Sequence, residues 1–172
     1  RNPLVDEHTL LVVVSQSGET ADTIAAMKEC KARGARVLAI VNVVGSTIAK
    51  LADDVVYTWA GPEIAVATTK GYTTQVAVMD MLAVYLARRL GRLDDAQNKE
   101  LVDAILQFPS LIQRSIDLNH HISDLAGHYR SSSSLFFIGR NLDYSACLEG
   151  SLKLKEISYV HSDAYAAGEL KH

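Results

Sequence analysis

The sequence has little cysteine, no excess of basic charge and no long uninterrupted apolar run. Its 172 residues include two cysteines, Cys30 and Cys147. Neither sits in a CxxC pair or beside paired histidines. A disulfide framework and a zinc site are therefore excluded as organising principles, and a reducing, cytoplasmic setting is expected. Cys30 lies among Lys28, Glu29 and Lys31 and is expected to be a surface or half-buried filler. The net charge of −3 argues against a polyanionic partner such as nucleic acid, so any anionic ligand must be held by a local site. The longest membrane candidate, Val76 to Ala87, is broken by Asp80, and no membrane association is expected. No signal-peptide pattern opens the sequence. The phosphate-loop pattern GxxxxGK[ST] and the dinucleotide pattern GxGxxG are both absent.

What is present is ordinary globular material, 48% hydrophobic and 22% charged, enough for one core or for parts of two small domains. Thr9 to Val14 reads as a buried parallel strand and Thr20 to Arg33 as a helix with Ile24, Met27 and Cys30 on one side. Gly34 supplies its stop. Val37 to Val41 reads as a second buried strand, Ser46 to Leu51 as a short helix and Val55 to Thr58 as a third strand. This alternation predicts βαβ units and a parallel sheet. A loop with a Gly61-Pro62 turn follows, then a helix over Thr73 to Leu90 whose all-round apolarity predicts burial on several sides. Helices are expected over Ala96 to Gln107, after Pro109, and over His121 to Tyr129. Leu135 to Ile138 reads as a new strand and Ser145 to Val160 as a helix. "SLFFIGRN" weakly echoes "LLVVVSQSGET", each taking an apolar strand into a polar loop and a helix. The boundary between two α/β units is expected between about Gly91 and Arg130.

Two stretches carry chemistry. "SQSGET", Ser15 to Thr20, follows a strand and opens a helix, at the edge of a parallel sheet where ligands bind. Free N–H groups and the helix dipole favour an anion there, and Ser15, Ser17 and Thr20 add hydroxyl groups without adding charge. A phosphate monoester fits such a cradle. The plainer alternative is a helix cap made by Ser17 or Thr20, with Glu19 closing it. The second stretch is "LEGSLKLKEISY", where Glu149, Lys153 and Glu156 stand at i, i+4 and i+7 on one helical face. A solvated salt-bridge ladder would look the same. Yet Leu148, Leu152, Ile157 and Tyr159 share the helix, and a partly covered lysine between carboxylates is where pKa values move toward neutrality. A carboxylate so placed suits proton transfer between adjacent sugar carbons, with the lysine at a hydroxyl or developing oxyanion. In "HSDAYAAGELKH" the small residues allow close backbone approach, and His172 is chemically suited to acid–base work. His120, His121 and His128 are assigned surface positions without a role, and His161 is left open.

Together, "SQSGETADT", "GPEIAVATTKGYTTQ" and "LEGSLKLKEISYVHSDAYAAGELKH" resemble the sugar-isomerase (SIS) half of the isomerizing glutamine–fructose-6-phosphate aminotransferase family, over nearly the whole chain. The resemblance implies an α/β fold with SIS-type parallel sheets flanked by helices. Residues 1–108 would be the back part of one SIS subdomain and residues 109–172 the front part of a second. It implies that Ser15, Gln16, Ser17 and Thr20 hold the phosphate of fructose 6-phosphate or glucosamine 6-phosphate, and that Val66 and Thr68 line the sugar site. Thr68 stands where serine is common, and Gly71-Tyr72 where Ala-Phe is frequent. It assigns C1/C2 proton transfer to Glu156, assistance at the C1 hydroxyl to Lys153, support of that site to Glu149 and ring opening to His172. The family works as a homodimer without metal or cofactor, and receives ammonia from a glutaminase domain in the same longer protein. Because the sequence opens at Arg1 and stops at His172 inside a continuing pattern, a piece of such a protein is expected, weakly active or inactive alone. Two other outcomes stay open: an SIS deaminase acting on an amino-sugar phosphate, and a non-catalytic SIS module that senses sugar phosphates.

Overall fold

The computed structural model describes residues 3–170, in two compact units, Arg1–Gln107 and Phe108–His172. In the first, β1 (Leu10–Ser15), β2 (Arg36–Val41) and β3 (Asp54–Tyr57) form a parallel sheet in the order β1-β2-β3. Helices α1 (Ala21–Ala32) and α2 (Thr47–Leu51) make the crossovers, and α3 (Lys70–Arg89) and α4 (Asp95–Leu106) follow. The strands form where β-branched and aliphatic residues run together, and their two-residue alternation divides the side chains between two faces.

One face is closed. Val13, Met27, Val37, Ala39, Val41 and Ile48 form a buried cluster joined by Leu11, Ile24, Val55 and Tyr57. Met27 and Ile48 are completely buried, and side chains of this size contribute about 1.5–3 kcal/mol each when removed from water. Cys30 belongs to the same helical face and is buried at 8% exposure, which corrects the expectation of a surface or half-buried filler. Its i, i+3 relation to Met27 outweighs the charged neighbours in sequence. The opposite face is only partly covered, with Ile40 completely buried on it. Leu10, Leu38, Ile40 and Val56 face Val78, Met81, Leu82 and Tyr85 of α3 across a groove of about 650 Å3. Leu10 and Val14 are consequently 48% and 40% exposed, so β1 is buried on one side rather than both. Helix α3 also departs from expectation: Gly71 and Val78 are its buried residues, while Val76, Met79, Met81 and Tyr85 are exposed. Apolar composition shows that a helix has much to bury, not that this unit covers it on every side.

The second unit has α5 (Phe108–Asp117) and α6 (Asn119–Tyr129), then β4 (Ser134–Gly139), α7 (Leu142–Ser158) and β5 (His161–Ala166). β4 and β5 pair in parallel, Ser134 opposite His161 through Gly139 opposite Ala166. The small residues after Tyr159 gave no sign of β5, and α7 begins three residues before the expected Ser145. Gly139 permits that early start: a Cβ there would lie 2.5 Å from the Asp143 carbonyl. Gly150 lets α7 settle on Phe137, and Ser151 and Ser162 clasp α7 to β5. Each serine hydroxyl donates to the other residue's carbonyl at 2.9 Å, with the serines 2% and 0% exposed.

Two outcomes test this framework. Ser162→Ala removes a buried hydroxyl that donates to the Ser151 carbonyl and meets the Ser151 hydroxyl, so the second unit should lose about 1–3 kcal/mol in urea unfolding. The Ser151→Ala, Ser162→Ala double variant should lose less than the sum of the singles. In the first unit, Asp53 accepts from Lys31 Nζ at 2.7 Å and from the Val37 N–H at 2.8 Å, joining α1, β2 and the start of β3. The Lys31 bond, then the Val37 N–H, hold its carboxyl below the ordinary value of 3.8. A lowered folded-state value means stability that is present above the unfolded pKa and lost as pH falls through the folded one. Asp53→Asn should therefore destabilise the chain at about pH 6 and reduce its further loss of stability below about pH 4, read from urea midpoints.

Candidate functional site

β1 ends at Ser15, and Gln16–Thr20 lead from the carboxyl edge of the sheet into α1. The Ser15 hydroxyl accepts from the Gly18 N–H at 3.0 Å and lies 3.1 Å from Thr20 Oγ1, while Ser17 Oγ accepts from the Glu19 N–H at 3.2 Å. The loop is thus folded around its own hydroxyls. Thr20 occupies the N-cap position of α1 in an extended conformation, but among the described residues its side chain makes no capping bond. Its hydroxyl is turned to Ser15 instead. The start of α1, with its dipole and first-turn N–H groups, opens onto the loop, an arrangement chemically suited to an anion.

Gly18 is held at φ +68°, and a Cβ on it would lie 2.1 Å from Ser46 Oγ. Its carbonyl accepts from the Ile48 N–H at 3.0 Å. Glu19 corrects an expectation. Its carboxylate accepts from the Thr47 N–H at 2.7 Å, so it caps α2 rather than closing a cap on α1. That backbone bond, followed by a bond to the Thr47 side chain and the charge of Lys50, holds the Glu19 carboxyl below its ordinary range.

Asn42, at the end of β2, gathers the neighbouring loops. Its N–H donates to the Gln16 carbonyl at 3.1 Å, its amide donates to the Gly61 carbonyl at 2.7 Å, and its Oδ1 accepts from the Ala60 N–H at 2.9 Å. Thr68 and Gln16 both close on Gly71, where a Cβ would lie 2.5 Å from Thr68 Oγ1 and 3.2 Å from Gln16 Cγ. Thr68 donates to Glu63 Oε2 at 2.7 Å, and this bond holds the Glu63 carboxyl low. The sequence alone did not single out Glu63; nothing in a loop carboxylate's spacing says which hydroxyl it will take. Val66 is fully exposed and is not packed into this group.

In the second unit α7 brings Glu149, Lys153 and Glu156 together. Lys153 Nζ lies 2.5 Å from Glu156 Oε2 and 3.5 Å from Glu149 Oε1, with the lysine side chain 17% exposed. The bond to Glu156, then the charge of Glu149, raise the Lys153 pKa against desolvation. The expected move toward neutrality is corrected for this residue: two carboxylates offset the cost of partial burial, and the ammonium is kept as a donor. His161 Nδ1 lies 3.1 Å from Ser134 Oγ across the β4–β5 pair. His172 lies outside the described residues. Among the described residues, no group of three or more His, Cys, Asp or Glu side chains is placed to hold a metal ion, and no helix is long and apolar enough to cross a membrane.

Parallel strands joined by helices, with a serine-rich β1–α1 loop at their carboxyl edge, define an α/β module, and comparison gives it a family. The chain belongs to the SIS domain family, whose model matches residues 1–85 and 128–172. Among curated relatives, the glutamine–fructose-6-phosphate aminotransferases (isomerizing) of Symbiobacterium thermophilum and Clostridium tetani are 57% and 54% identical over the whole chain. The chain spans 28% of the length of each. Among solved structures, the C-terminal domain of glucosamine-fructose-6-phosphate aminotransferase from Francisella tularensis matches with a TM-score of 0.96 at 35% identity. That match covers all of this chain and 49% of the solved one.

Proposed function

We propose that the chain is part of the isomerase portion of an aminotransferase that converts fructose 6-phosphate and glutamine-derived ammonia to glucosamine 6-phosphate. The observation that carries this reading is the α7 face, where Lys153 is held between Glu149 and Glu156 on a helix clasped to β5. A module that merely senses a sugar phosphate has use for a phosphate cradle but none for a charged acid–base group. The names and identities of the relatives support the same reading.

In this reading residues 1–108 and 109–172 belong to two successive SIS subdomains. Ser15, Gln16, Ser17 and Thr20 hold the phosphate by hydroxyl and N–H groups at the start of α1, and Val66 and Thr68 line the sugar. Ammonia adds at C2 of the open ketose and water leaves. Glu156 then takes the proton from C1 and returns one at C2, which moves the double bond and leaves an aldose bearing an amine. Lys153, held as an ammonium, donates to the C1 oxygen as charge develops there, and Glu149 keeps it in place. His172 opens the ring. A glutaminase domain elsewhere in the longer protein supplies the ammonia, the protein acts as a homodimer in the cytoplasm, and no metal or cofactor takes part.

In the full-length parent, fructose 6-phosphate in heavy water should exchange a carbon-bound proton at C1, followed by NMR. Glu156→Gln should lower that rate about 10²–10⁴-fold while sugar-phosphate binding stays within a few-fold. A parent that binds the sugar phosphate without exchange would sink the enzymatic reading and leave the sensor. A parent that releases ammonia from glucosamine 6-phosphate but cannot use glutamine as its ammonia source would favour the deaminase.

A further inference from the structure

An anion-binding loop with a glutamate in its middle poses an electrostatic problem, because a carboxylate facing a phosphate repels it. Glu19 is directed elsewhere, onto the Thr47 N–H at 2.7 Å at the first residue of α2. Thr47 is 28 residues away in sequence, so this bond ties two separate β–α connections together. A second tie runs beside it, from the Ile48 N–H to the Gly18 carbonyl at 3.0 Å. Between them Ser46, 4% exposed, presses on Gly18 as a wall; among the described residues its Oγ has no hydrogen-bond partner. Ser46 is also the N-cap residue of α2, yet its side chain makes no capping bond among the described residues. Glu19 instead satisfies, from the Ser15–Thr20 loop, the free N–H of the first residue of α2. The same bond neutralises the start of α2 and keeps the Glu19 charge off the start of α1.

We propose that Glu19 is a positioning residue: by latching the Ser15–Thr20 loop to Thr47, it sets that loop's affinity for the phosphate of the sugar substrate. The inference rests on the reading of this loop as the phosphate cradle, and the test separates the two. In the full-length parent, Glu19→Ala should raise KM for fructose 6-phosphate about tenfold, the effect of one charge-assisted hydrogen bond, with kcat within about twofold. Glu19→Gln keeps an acceptor oxygen for the Thr47 N–H and should recover most of the loss. Thr47→Pro removes the donor from the other side. Proline is accepted at a helix's first position, and Ser46 before it is already extended at φ −62°, ψ 164°. Thr47→Pro should raise KM like Glu19→Ala, and the double variant should be no worse than either. Ser17→Ala serves as the control for the cradle. If Ser17→Ala raises KM while Glu19→Ala and Thr47→Pro do not, the latch is wrong and the cradle stands. If none of the three changes KM, the cradle itself is wrong. A Glu19→Ala variant that loses kcat without a KM change, or that glutamine does not rescue, also overturns the latch.

Discussion

The carboxyl edge of the three-stranded sheet depends on how closely Gly18 approaches Ser46. No side chain fits between them, and the left-handed backbone at Gly18 adds a second reason for glycine there. This contact folds the Ser15–Thr20 loop back on its own hydroxyls, so that Ser15 engages both Gly18 and Thr20. It also brings Glu19 within reach of Thr47 and Gly18 within reach of Ile48. A larger residue at position 18 would have to open the loop and break those bonds together. The buried cluster under the loop, with Val41 and Ile48 completely enclosed, prevents α2 from yielding to make room.

The second unit solves a different problem. One face of α7 carries a row of charges, and charges do not fix a helix in place. The helix is held from its other side, by Gly150 against Phe137 and by the paired hydroxyls of Ser151 and Ser162. A buried polar clasp of this kind has direction as well as strength, because sliding or turning α7 would break both 2.9 Å bonds between buried hydroxyls and carbonyls. Anchorage behind the helix and charge pairing in front together keep Lys153 between Glu149 and Glu156.

Much of this is legible in the sequence where the signal is local. The aliphatic runs announce β1, β2, β3 and β4, and the abrupt change at Ser15 marks the loop. The i, i+4, i+7 spacing puts Glu149, Lys153 and Glu156 on one face by helix geometry alone. The failures are of another kind. β5 has no apolar run, and its burial rests on Ser162 meeting Ser151 across the fold. Glu19 reads as a local cap because its true partner is 28 residues away. Glu63 gives no sign that it will take the Thr68 hydroxyl. Cys30 reads as surface because its neighbours in sequence are charged, although its helical neighbours are not. The apolarity of α3 is plain, but composition alone does not say which of its sides a fold will cover. The direction of the Lys153 shift needs the distances to both carboxylates.

The central claim is the proposal that the Ser15–Thr20 loop takes the phosphate of the sugar substrate. A crystal structure of the full-length parent with fructose 6-phosphate bound tests this directly. The account predicts phosphate oxygens within hydrogen-bond distance of the Ser17 and Thr20 hydroxyls and the first-turn N–H groups of α1. A sugar phosphate whose phosphate sits away from that loop would contradict it.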